Sequence, residues 1–232
     1  MSKVIKSISH HVLQRLGLVN YPLSIEIISI FLLWLFTISS LIGIGLGFTD
    51  WFIAKTPINL MLGFLLVLIN IPFTKKYSKL IFVVFFLFGM GLEIAGVIRG
   101  DIFGVYHYGE NLGFKVFGVP LMIGIYWAVL TTVTSQIGRS LFKNTIVIAL
   151  FGASLMVGLD FLMEQMAHTF DYWHFKNDIA PLQNYVTWFG AAFLLNILAI
   201  YLIPKGGKRF ALHLYFNQIV FFAITFAILK LW

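Results

Sequence analysis

The sequence predicts an all-α integral membrane protein with about seven transmembrane helices. Of its 232 residues, 60% are hydrophobic and only 11% are charged, and the mean hydropathy is +0.94. A soluble domain carries about 25% charged residues, and no soluble fold could hide so much apolar surface from water. The solvent around most of this chain is therefore lipid, and its apolar stretches have the length that a bilayer requires.

The spans are placed where runs of about 20 apolar residues can cross the hydrocarbon core. Ahead of them, apolar residues recur at helical spacing among basic ones, which predicts an interfacial amphipathic helix over residues 1–20, with a frayed tail as the alternative. Residues 21–232 are expected to form a single transmembrane domain. The predicted spans are 23–47, 57–72, 79–98, 118–137, 145–164, 184–203 and 210–230, of which the second is the shortest.

The basic residues predict the orientation of this bundle. Eleven of the sixteen Lys and Arg residues fall on the side of the N-terminus, and five fall on the opposite side. By the positive-inside rule the N-terminus is cytoplasmic and the C-terminus lies outside, and we expect a multi-pass protein of the plasma membrane. The net charge of +7 is thus assigned to membrane orientation and not to nucleic-acid binding. Eight of the nine acidic residues fall toward the outer side, so chemistry is expected there.

The first six spans share a layout that occurs three times. One span ends near an acid, an aromatic-rich connection follows, and a proline opens the next span. Because proline is common in the first turn of a helix, the pattern indicates either internal duplication or three ordinary helix starts. The acid and proline of each copy are Asp50 and Pro57, Glu93 and Pro120, and Asp160 and Pro181.

Three acids inside the predicted spans are the candidate catalytic residues, because ionisable groups in lipid are costly and tend to face an interior cavity. Asp160 and Glu164 are four residues apart and share one helix face. Two neighbouring carboxylates resist simultaneous ionisation, so the pair can supply a general acid beside a general base. Glu93 can join them from the third span. The alternative for the two glutamates is a position at headgroup level or a pair with Arg99.

Aromatic and amide side chains near the outer ends of the spans are the candidate substrate-binding residues. The aromatic residues fit either an interfacial belt or the wall of a polyene pocket, where ring faces can stabilise a carbocation. Asn59 and Asn184 are polar groups in apolar spans that can hold a water or cap a neighbouring helix. The aromatic set comprises Tyr106, Tyr108, Tyr126, Trp127, Tyr172, Trp173, Tyr185 and Trp188, of which Tyr106, Tyr108, Trp127, Trp173 and Trp188 are selected as binding residues.

The sequence predicts no metal site and no organic cofactor. It has no cysteine and no His-x-x-x-His or Glu-x-x-His pair. It also lacks a phosphate loop, a dinucleotide fingerprint and an aspartate-rich diphosphate motif. The seventh predicted span has no lysine at its middle, which argues against a retinal Schiff base.

Several short motifs occur in order between residues 48 and 190. They are Thr56-Pro57-Ile58-Asn59, Glu93-Ile94-Ala95-Gly96, Phe103-Gly104-Val105-Tyr106-His107-Tyr108, Gly118-Val119-Pro120 with Trp127, Asp160-Phe161-Leu162-Met163-Glu164, Tyr172-Trp173, and Pro181-Leu182-Gln183-Asn184-Tyr185 with Trp188. This set resembles the membrane carotenoid 1,2-hydratases, the "carotenoid biosynthesis protein" family that includes bisanhydrobacterioruberin hydratases. Gln165 and Phe175 depart from the family pattern, which has Pro and a second Trp there.

The resemblance implies a cofactor-independent hydro-lyase that adds water across the terminal C1=C2 bond of an acyclic carotenoid end group, as in lycopene or γ-carotene. A carboxyl of the Asp160 and Glu164 pair, or alternatively Glu93, would protonate C2, and a second carboxylate would deprotonate the water. The implied partners are a carotenoid from the bilayer, membrane lipids and other carotenoid-pathway enzymes. A small transporter or lipid-binding protein that uses the same acids for proton coupling is the alternative, followed by another isoprenoid enzyme such as a cyclase or desaturase.

Overall fold

The computed structural model describes residues 24–73 and 78–231. Within these residues, seven helices are long and apolar enough to cross a membrane, which confirms the predicted fold class. The predicted interfacial helix over residues 1–20 lies outside the described residues. The side of the membrane that holds the N-terminus stays a prediction.

Each predicted span corresponds to one long helix, except that two consecutive helices over Thr49–Asn70 together form the second span. Short strands occur in the connections. The fourth span begins at Leu121 and not at residue 118, because the residues before it form a strand. The helices are α1 (Ile25–Gly45), α2 (Thr49–Ile53), α3 (Thr56–Asn70), α4 (Ser78–Arg99), α5 (Leu121–Leu141), α6 (Thr145–Ala167), α7 (Leu182–Leu202) and α8 (Lys208–Leu231). The strands are β1 (Tyr106–Tyr108), β2 (Lys115–Val116), β3 (Val119–Pro120) and β4 (Trp173–Phe175).

Proline begins a helix in each of the three repeated hairpins. Pro57 lies in the first turn of α3, and Pro120 and Pro181 are the N-cap residues of α5 and α7. Proline suits these positions because the missing N–H would have no partner within the helix. The acid of the first copy, Asp50, is exposed on the short helix α2. This copy therefore has no buried acid like Glu93 or Asp160.

Helix α5 is the centre of the bundle. It packs against α3, α4, α6, α7 and α8 and is the most deeply buried of the seven spans. It is also the least apolar span, because a helix shielded from lipid can carry hydroxyl side chains that bond to its own backbone. Thr132 and Thr134, for example, donate to the carbonyl groups of Ala128 and Leu130 at 2.8 Å.

A two-stranded antiparallel sheet connects two long loops at one end of the bundle. Strand β1 follows α4, strand β4 follows α6, and their register pairs Tyr106 with Phe175 and Tyr108 with Trp173. We call the end of the bundle that carries this pairing the sheet end. The pairing joins the α4–α5 and α6–α7 connections, so it brings together residues distant in sequence at the ends of α4 and α6.

Candidate active site

Three carboxylates from two helices line one small cavity at the sheet end. Glu93 comes from α4, and Asp160 and Glu164 come from α6. The cavity volume is about 20 Å³, and Glu93 and Asp160 are only 2% and 4% exposed. We call this cavity the acid chamber. Its other lining residues are Tyr106, Tyr108, Ile123, Tyr126, Met163, Trp173, Phe175, Asn184 and Trp188.

Glu93 accepts hydrogen bonds from three side chains. Tyr106 Oη and Tyr108 Oη donate to its Oε2 at 2.5 and 2.8 Å, and Trp127 Nε1 donates to its Oε1 at 3.0 Å. A buried carboxylate requires such donors to replace the water that it has lost. The three contacts therefore hold the Glu93 carboxylate in one orientation toward the chamber.

The strand geometry of β1 explains why two tyrosines reach Glu93. Alternate residues of a strand point to the same side, so Tyr106 and Tyr108 face the bundle while His107 between them is exposed. Burial, together with the nearby Glu93 carboxylate, raises the pKa of both phenols above their ordinary value. Both tyrosines therefore stay protonated at neutral pH and remain hydrogen-bond donors.

Arg99 does not pair with Glu93. Its guanidinium group binds Asp101 through two hydrogen bonds of 2.9 and 2.8 Å, and both side chains are exposed. Glu93 points instead into the interior of the bundle. Glu164, one helical turn beyond Asp160, is half-buried at the chamber wall beside the indole of Trp173.

Asp160 is held by an amide from the next helix. Asn184 lies in the first turn of α7, and its Nδ2 donates to Asp160 Oδ2 at 3.1 Å. Both residues are buried, and the bond links α6 to α7. Within the described part of the chain, no donor binds the other oxygen of Asp160.

Two stacked indole rings lie next to the acid chamber. The rings of Trp127 and Trp188 are 3.9 Å apart at an angle of 22°, and Trp127 is fully buried. Gly89 of α4 makes room for Trp127, since a Cβ atom at residue 89 would lie 2.5 Å from the indole. The absence of a side chain at Gly89 thus allows Trp127 to occupy the position from which it reaches Glu93.

A larger cavity adjoins the acid chamber. It has a volume of about 580 Å³ and lies among α1, α2, α3, α5 and α8, with a mostly apolar lining. We call it the apolar slot. Leu35 and Phe36 of α1 and Ile58 of α3 line it and are 45%, 41% and 60% exposed, so the slot reaches the surface that faces lipid. The residues that line both cavities are Ile123, Tyr126, Met163 and Trp173.

The predicted site residues thus separate into two groups. All but one of them line the acid chamber or bond to a residue that does. These are the three acids, Tyr106, Tyr108, Trp127, Trp173, Asn184 and Trp188. Asn59 lies elsewhere, on the wall of the apolar slot. The structure therefore gives Asn59 no contact with the carboxylates.

A model of the family described as carotenoid biosynthesis protein matches residues 55–232, about three quarters of the chain. The chain belongs to this family. Neither the curated proteins nor the solved structures gave a match. The matched region contains every residue that lines the acid chamber. The family resemblance predicted from the motifs is confirmed, and the protein takes part in carotenoid biosynthesis as a multi-pass membrane protein.

The structure adds residues to the site that the sequence did not single out. Ile123 and Met163 line both cavities, and Gln218 of α8 lines the slot. Gln218 carries the same signal that singled out Asn59, namely an amide side chain inside an apolar span. Ile123 and Met163 carry no such signal, because apolar residues in a transmembrane helix are ordinary.

Three histidines lie close together at the sheet end. The rings of His107 and His174 stack at 5.1 Å, and His168 meets His174 edge-on at 4.7 Å. His174 Nε2 is 2.8 Å from Asp171 Oδ1. In residues 24–73 and 78–231 no group of three or more His, Asp or Glu side chains is arranged to hold a metal ion.

Proposed function

We propose that this protein is a carotenoid hydratase. It adds water across the terminal C1=C2 bond of an acyclic end group, as in lycopene or γ-carotene, and yields a tertiary alcohol as a cofactor-independent hydro-lyase. The observation that carries the proposal is the acid chamber, with three carboxylates around about 20 Å³ at the end of an apolar slot. A polar cavity above about 10–15 Å³ can hold one water molecule.

The reaction needs an acid and a base, and both roles fall to the carboxylates. A carboxyl group of α6 donates its proton to C2, and the electron pair of the C1=C2 bond forms the new C–H bond. This leaves a tertiary cation at C1. The oxygen of the chamber water bonds to C1 and loses one proton to a second carboxylate. Transfer of that proton to the first carboxylate restores the starting state, so the net change is the addition of one water.

The hydrogen bonds support Asp160 and Glu164 over Glu93 as the acid. All three side chains that contact Glu93 are donors, which suits a group that stays a carboxylate beside the developing cation. Asp160 lines the chamber and receives one donor, from Asn184, and its second oxygen has none in the described structure. A protonated Asp160 could therefore direct its hydrogen to the substrate.

Aromatic rings around the chamber supply a surface for the cation. Trp173 and Trp188 line it together with the two tyrosines of β1. An aromatic face attracts a cation within about 6 Å by roughly 0.5–2 kcal/mol, and more strongly where water is excluded. The rings would shelter C1 until the water attacks.

The apolar slot supports a long apolar substrate that enters from the bilayer. Its volume of about 580 Å³ lies within the usual range of ligand cavities, about 300–1,000 Å³. Its wall is open to the lipid-facing surface at α1 and α3. We propose that the carotenoid passes directly from the plasma membrane into the slot, with membrane lipids and other carotenoid-pathway enzymes as partners.

Expression in a host that accumulates lycopene tests the proposal. The wild-type protein should convert the pigment to an alcohol heavier by the mass of one water, as measured by liquid chromatography and mass spectrometry. Glu164→Gln should lower the conversion rate by about 10²–10⁴-fold, the usual contribution of a general acid or base. Asp50→Asn, which changes an exposed acid on α2, should leave conversion unchanged. An unchanged pigment despite normal protein levels in the membrane would contradict the proposal and favour a transporter or lipid-binding protein.

A further inference from the structure

Tyr126 stands where the apolar slot meets the acid chamber. It lies in the second turn of α5, is 5% exposed and lines both cavities. Its hydroxyl group donates to Gln218 Oε1 on α8 at 2.6 Å and lies 3.3 Å from Met163 Sδ on α6. Its phenol therefore links three helices at the junction of the two cavities.

The size of the acid chamber requires that this junction moves. A volume of about 20 Å³ exceeds the roughly 10–15 Å³ that one water needs, but it is too small for a branched five-carbon end group. An apolar end group that reaches the carboxylates from the slot must displace part of the shared wall. That wall consists of Ile123, Tyr126, Met163 and Trp173.

Tyr126 is the member of this wall whose side chain bonds to a residue of the slot. Trp173 belongs to β4, whose backbone is paired with β1. Tyr126 is attached by its hydroxyl to Gln218, which lines the slot but not the chamber. A net hydrogen bond contributes only about 0.5–1.5 kcal/mol, so this tether can break on each passage.

We propose that Tyr126, held by Gln218, is the gate through which an apolar end group passes from the slot into the acid chamber. The position of its ring limits the width of what can pass, and a slender acyclic end fits this limit better than a ring. The identity of the passing molecule as a carotenoid rests on the proposed function. The gate itself rests on the two cavities and the hydrogen bond between α5 and α8.

Labelling with diisopropylcarbodiimide, whose two alkyl groups are acyclic, tests the gate without any carotenoid. This apolar reagent partitions into membranes and adds to a protonated carboxyl to form an N-acylurea, with no leaving group. The protein in lipid nanodiscs is treated for set times, and labelled Asp160 and Glu164 are quantified by peptide mass spectrometry. Tyr126→Phe keeps the ring but removes the tether, and Gln218→Leu removes the same bond from the other side.

Both single variants should label about two to ten times faster than the wild type, which corresponds to loss of one net hydrogen bond. The double variant should label no faster than either single one, because both changes break the same contact. Tyr215→Phe is the matched control. It removes a buried tyrosine hydrogen bond of 2.9 Å to the Leu155 carbonyl, also between α8 and α6, but Tyr215 lines neither cavity.

Equal labelling in the wild type and in both tether variants would overturn the gate, and so would the same increase in Tyr215→Phe. Thermal unfolding measured in parallel shows whether Tyr126→Phe is folded, and Gln218→Leu carries the test if it is not. The pigment assay separates the two proposals. If the wild-type protein hydrates no carotenoid but the labelling is as expected, the gate proposal stands and the hydratase proposal is wrong. If the protein hydrates the carotenoid but the labelling is not as expected, only the gate proposal is wrong.

Discussion

Replacing Asp160 with Asn removes a proton donor while leaving the shape of the side chain nearly unchanged. The amide oxygen of Asn can still accept the bond that Asn184 Nδ2 now donates to Asp160 Oδ2 at 3.1 Å. A protonated Asp160 is neutral, so this bond joins two neutral groups both before and after the change. The free energy of unfolding should therefore change by less than about 1 kcal/mol.

The effect on the reaction should be far larger. If Asp160 is the acid or the base, the hydration rate falls by about 10²–10⁴-fold. The assay uses purified protein in nanodiscs with lycopene and follows the alcohol by liquid chromatography, with thermal unfolding measured on the same preparation. Asp50→Asn is the matched control, since it makes the same chemical change at an exposed position of α2. A variant Asp160→Asn that keeps more than about a tenth of the wild-type rate would refute the assigned role.

Two further predictions concern the packing and the pH dependence of the sheet end. Gly89→Ala should lower the free energy of unfolding by about 1–3 kcal/mol in a thermal unfolding assay, because its Cβ would lie 2.5 Å from the Trp127 indole. Gly91→Ala is the control, since its Cβ meets open space and alanine favours a helix, so it should not destabilise the protein. Two hydrogen-bond partners lower the pKa of Asp171 below its ordinary value. The backbone N–H of Glu110 has the larger effect, and the ring of His174 has the smaller one. The Asp171 carboxylate therefore contributes fully to stability at a pH above its unfolded-state pKa, about 3.9. This contribution is lost as the pH falls through its folded-state pKa. Asp171→Asn should flatten the acid limb of a plot of unfolding midpoint against pH, and an identical slope in both proteins would contradict this.

The number and placement of the spans could be predicted because lipid imposes a local requirement. Each span must be apolar over about 20 residues and must satisfy its own backbone hydrogen bonds, so the sequence alone reveals it. The start of α5 was misplaced by three residues because the strand containing Val119 and Pro120 comes first. Helix geometry likewise places Asp160 and Glu164 on one face, since residues four apart are neighbours on any helix.

The contacts of Glu93 could not be predicted in the same way. They depend on the position of α4 relative to α5 and on the pairing of β1 with β4, which turns two tyrosines toward the carboxylate. Hydropathy does not specify which faces of apolar helices meet, because lipid and neighbouring helices are equally apolar environments. Arg99 was an equally reasonable partner by sequence distance, yet it pairs with Asp101.

The sequence by itself determined that the chain crosses a membrane about seven times, that it resembles the carotenoid biosynthesis family, and that acids lie inside its spans. These features are local, because a hydropathy run, a motif or a helical turn requires only neighbouring residues. Tertiary structure alone decided that Glu93 and the α6 acids share one chamber, that Asn59 lies outside it, and that Tyr126 meets Gln218 at its entrance. These features join residues from different helices, and their contacts arise only when close packing selects one arrangement of the bundle.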